Sequence, residues 1–165
     1  EMCIRDRPKG FALSRQNLPI LDGTKEKARD GVRRGAYTLV EGSKDEPDVI
    51  LLATGSEVQL AVEAANQLES EGTSARVVSA PCLEWFDEQD AEYRESVLPS
   101  SVKARVSVEA GLAMSWHKYT GTFGRNVSLE HYGASAPGDE LFEKFGFTSA
   151  AVADAARESI AETQR

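Results

Sequence analysis

Cysteine and histidine are scarce in this chain of 165 residues: Cys3 and Cys82, His117 and His131 are all there is. Two cysteines cannot make the disulfide framework on which small secreted domains rely, so a reducing, cytoplasmic setting is expected. No HExxH and no paired CxxC occurs, and His131 and Glu130 would point to opposite faces if they shared a strand. No metal ligands are therefore expected. Long apolar runs are missing too. None approaches the ~18 residues of a membrane span, and no membrane partner is expected. Positive charge is the minority sign, with 19 Lys and Arg against 27 Asp and Glu and a net charge of −8. That balance argues against nucleic acid, whose phosphates need a concentrated basic face.

What the chain does have is a regular centre. Residues 49–53, Val-Ile-Leu-Leu-Ala, form a short, unbroken apolar run of strand formers, as in a strand covered on both faces. Thr54 and Gly55 break it. Ser56, with Gln59 three positions on, fits a helix-start capping box. Val58, Ala61, Val62, Ala65 and Leu68 then recur at helical spacing, and Gly72 stands where a left-handed helix stop belongs. Residues 74–82 read as another strand, so 48–82 is a strand–helix–strand unit.

The flanks are read around that unit. Residues 36–41 are expected as a strand forming a hairpin with 49–53 across a polar turn. Residues 25–34 hold five basic residues among ten and read as a solvated, charged connection. Residues 83–98 are partly helical and end at Pro99. Residues 103–110 and 126–132 read as strands, with a short helix or turn at 111–119 between them. Pro137 opens a short helix with Asp139 and Glu140 in its first turn, and Gly146 stops it. Thr148 caps a last helix whose Val152, Ala155, Ala156 and Ile160 face inward. The fold class expected is α/β: a three-layer sandwich with a mixed, mostly parallel sheet of about five strands and helices on both faces. One good core fits this length, two do not.

Catalytic signatures are thin. Residues 133–137, Gly-Ala-Ser-Ala-Pro, approach a nucleophile elbow, but Pro137 stands where that motif needs glycine. Gly121 and Gly124, with Thr122 and Arg125, read as a turn. The turn at Thr54, Gly55 and Ser56 faces a helix start and has the geometry of an anion site, which Glu57 opposes, so a structural turn is favoured. Arg15, beside Ser14, Gln16 and Asn17, carries a planar fork suited to phosphate, although a surface or salt-bridging role remains open for it. No nucleophile, base and orienting group come together.

Four stretches in order alter this picture: ALSRQNLPIL at 12–21, DVILLATGSEVQLAVEAA at 48–65, VSVEAG at 106–111 and GASAPGDELFEKFGFT at 133–148. Over nearly all of 11–165 the chain resembles the C-terminal part of transketolase. The resemblance implies a piece of a homodimeric enzyme that uses thiamine diphosphate and Mg²⁺ to move a two-carbon ketol unit between sugar phosphates in the pentose phosphate pathway. It implies that residues 11–35 are the end of the pyrimidine-binding middle domain with its linker, and that 36–165 are the C-terminal domain. Residues 1–10 depart from the family pattern and read as a non-family or disordered segment. Arg15 would contact the sugar phosphate. No catalytic, cofactor or metal residue is implied on this chain, which would be inactive alone and bind no cofactor. Two alternatives stand beside this. One is a non-catalytic assembly module working with separately encoded thiamine-binding domains. The other is the last domain of another thiamine enzyme, against which the SRQN and FEKFGFT stretches speak.

Overall fold

A computed structural model describes residues 10, 13, 14 and 16–165. In chain order the elements are α1 (Thr24–Arg34), β1 (Tyr37–Val40), β2 (Val49–Ala53), α2 (Val58–Ser70), β3 (Ala75–Ser79), α3 (Leu83–Asp87), α4 (Ala91–Val97), β4 (Arg105–Val108), α5 (His117–Thr120), β5 (Arg125–Val127), α6 (Gly138–Lys144) and α7 (Ser149–Thr163). Five strands make one sheet in the order β1-β3-β2-β4-β5, antiparallel only between β1 and β3. The expected mixed, mostly parallel α/β sheet is present.

The apolar run 49–53 is the middle strand because it alone can be covered everywhere. All five residues are buried, with Ala75 to one side of Val49 and Arg105 to one side of Ile50. Alternate side chains separate two cores. Val49, Leu51 and Ala53 meet α2 and α7 through Leu68, Val152 and Ala156. Ile50 and Leu52 meet the opposite layer through Phe86, Val97, Trp116 and Tyr119. Arg157 of α7 forks onto Glu71 at the end of α2, at 2.8 and 2.9 Å, and so closes the first layer at its rim.

Four local expectations need correction. The strand at 36–41 makes no hairpin with β2, because both edges of β2 are taken by β3 and β4; β1 pairs with β3 instead, with an irregular register between Thr38 and Val40. The basic stretch at 25–34 is a helix, α1, with Ala28 packed against the core and its charges outward. Ser56 makes no capping bond; its hydroxyl donates to Glu57 Oε2 at 2.9 Å, and a 3-10 turn over Gly55–Glu57 leads into α2. The last strand stops at Val127, since Ser128 Oγ and Ala113 N–H both donate to Glu130 Oε1 and pull the chain toward the β4 exit. Thr148 does cap α7, accepting from Ala151 N–H at 3.1 Å.

Carboxylates stitch the loops, which sets the acid limit of the fold. Hydrogen bonds from Ser43 and from the Ala75 N–H hold Glu69 below its ordinary range. Burial raises the Asp48 carboxyl, yet donation from Lys44 and Ser74 outweighs it and leaves the group lowered. The Ser100 N–H and hydroxyl lower Glu95. Each group binds its proton more weakly when folded than when unfolded. Their contribution is therefore complete above the ordinary carboxylate values and is lost as pH falls through the lowered ones, from about pH 5 downward. Urea midpoints measured between pH 7 and pH 3 should fall over that window, and Glu69→Gln should flatten the slope.

Candidate functional site

The parallel strands all deliver their carboxyl ends to one edge of the sheet. Neighbouring strands β2 and β4 part there: β2 leaves into α2 on one face, and β4 leaves toward Trp116 and α5 on the other. Such a switch point opens a crevice outside the strand ends. Here it is a cleft of about 780 Å³. Residues 54–57 and 109–110 form its floor, and Cys82 and Trp85 one wall, while Leu13 and Ser14 run along its rim.

Two glutamates define its chemistry. Thr54 is still extended, and Gly55, at φ +60°, turns the chain so that Glu57 folds back under the loop. Only 6% of Glu57 is exposed. Its Oε2 accepts from Ser56 Oγ at 2.9 Å, and its Oε1 accepts from the Ala110 N–H at 3.1 Å, which ties the exits of β2 and β4 together. Glu109 Oε2 accepts from Trp116 Nε1 at 2.6 Å. Two carboxylates facing one crevice repel phosphate, so the helix start behind Gly55 is not an anion cradle. Glu109 was not singled out by sequence reasoning and Glu57 only as an obstacle to an anion. The signal available was their placement directly after the strand ends, in TGSE and VSVEAG.

The other candidates lie apart. Arg15 lies outside the described residues, as do 1–9, 11 and 12. His131 is exposed, edge-on to Phe145 with ring centroids 4.9 Å apart, and His117 starts α5 elsewhere. Among the described residues no group of three His, Cys, Asp or Glu could hold a metal ion. Residues 133–137 form an exposed loop entered by no strand, so Ser135 is not on an elbow. Gly121 and Gly124 close a turn, and Arg125 is committed to α7 through Glu158 at 3.3 Å and Glu162 at 3.2 Å. On the opposite layer, burial and a hydrogen bond to Asp87 push the Tyr119 hydroxyl up. The described residues thus hold a carboxylate-floored cleft and no assembled nucleophile or base.

Comparison with known proteins supplies what this geometry leaves open. Residues 35–148 match the family model of the transketolase-like TK C-terminal domain. Transketolase of Mycobacterium leprae is 54% identical over 156 residues, which are 93% of this chain and 22% of that protein. A transketolase of Pichia stipitis, solved in complex with sedoheptulose 7-phosphate, superposes with a TM-score of 0.79 at 43% identity, over 91% of this chain and 21% of that one. A split-gene transketolase, solved as an inactive β4 tetramer, is more distant: TM-score 0.59 and 26% identity, over 78% of this chain and 43% of that one. The chain spans about a fifth of the length of the curated relatives it matches.

Proposed function

Because the chain belongs to the transketolase-like C-terminal domain family, we propose that it is the closing part of a transketolase, an enzyme moving a two-carbon ketol unit between sugar phosphates. The observation that carries this is the match to a transketolase along 93% of the chain. In this reading residues 11–35 are the end of the middle domain with its linker and 36–165 are the C-terminal domain. The whole enzyme is a cytoplasmic homodimer of the pentose phosphate pathway and uses thiamine diphosphate with Mg²⁺, which supplies the carbanion chemistry. That cofactor does not fit the cleft described above. A diphosphate needs N–H donors and cations, whereas the cleft offers Glu57 and Glu109.

Arg15 is the residue assigned to substrate: its guanidinium fork matches a sugar phosphate, and the P. stipitis transketolase holds such a sugar. The test is ketol transfer from xylulose 5-phosphate to ribose 5-phosphate. The isolated chain should give none, whereas a full-length transketolase ending in this sequence should turn over. In that protein Arg15→Ala should cost about 1–3 kcal/mol in kcat/KM with phosphorylated sugars, and much less with unphosphorylated ones. Equal losses on both would remove the assignment. A second reading, an assembly module completed by separately encoded domains, has the split-gene transketolase in its favour. Activity that returns on mixing with those domains would select it.

A further inference from the structure

We draw no further inference here: the strongest candidate, the basic pocket at the start of β4 between Lys103, Arg105 and the turn at Gly121, carries nothing, because Arg105 already donates to four backbone carbonyls, the Glu95 carboxylate offsets the charge of both cations, and among the described residues nothing else there points to a ligand.

Discussion

Replacing Gly35 by alanine is expected to destabilise the fold by about 3–5 kcal/mol, adding left-handed strain to a packing clash. Gly35 sits between α1 and β1 at φ +86°. A Cβ there would fall inside contact distance of Cys82 O, Phe86 N and Trp85 C, all backbone atoms of the α3 start, which have no rotamer to retreat into. The same residue's carbonyl accepts from the Cys82 N–H at 2.9 Å, so the two segments cannot simply part. Gly72, also at φ +86° but with nothing within 4 Å, isolates the strain alone. Gly72→Ala should cost about 1 kcal/mol. Urea unfolding of the two variants separates the contributions. Equal losses would show that close approach at Gly35 is not what demands glycine.

Loss of the Arg105 fork is the second large effect. From the start of β4 its Nε donates to Val102 O at 3.0 Å, one terminal nitrogen to Tyr119 O at 2.8 Å, and the other to Pro99 O at 2.8 Å and Leu98 O at 3.4 Å. These carbonyls belong to the ends of α4 and α5 and to the loop after Pro99, where no regular ladder can satisfy them. Burial lowers the Arg105 pKa, partly offset by Glu95. Arg105→Met fills similar volume but leaves the acceptors orphaned, at about 3 kcal/mol for several charge-assisted bonds in a partly wet site. Arg105→Lys should recover less than half of that, because an ammonium cannot span the same fork. A chevron or equilibrium titration of the three proteins decides it: full rescue by lysine would mean that charge matters and geometry does not.

How far the sequence alone leads depends on the range of the interactions. β2, the helix over 58–70, β3 and the capped α7 follow from period, run length and a single threonine, all within a few residues. The partner of β1 does not. A polar turn after residue 41 allows return to β2 or placement beyond β3, and only the competition of β3 and β4 for β2 decides. α1 hides because charged residues dominate its composition; Ala28 and Gly31, three positions apart, give its inward side little apolar bulk, and Val32 is exposed. The Glu57 link to Ala110 joins positions 53 apart, and nothing local announces it. Arg15 stood out only as a planar fork in a polar loop, and it lies outside the described residues.

The two outer strands carry a last consequence. One is only three residues long, and the other, four residues long, breaks register between Thr38 and Val40. Neither presents the long, even row of free amides and carbonyls that recruits a neighbouring chain. Growth of the sheet from molecule to molecule along these two edges is thereby discouraged.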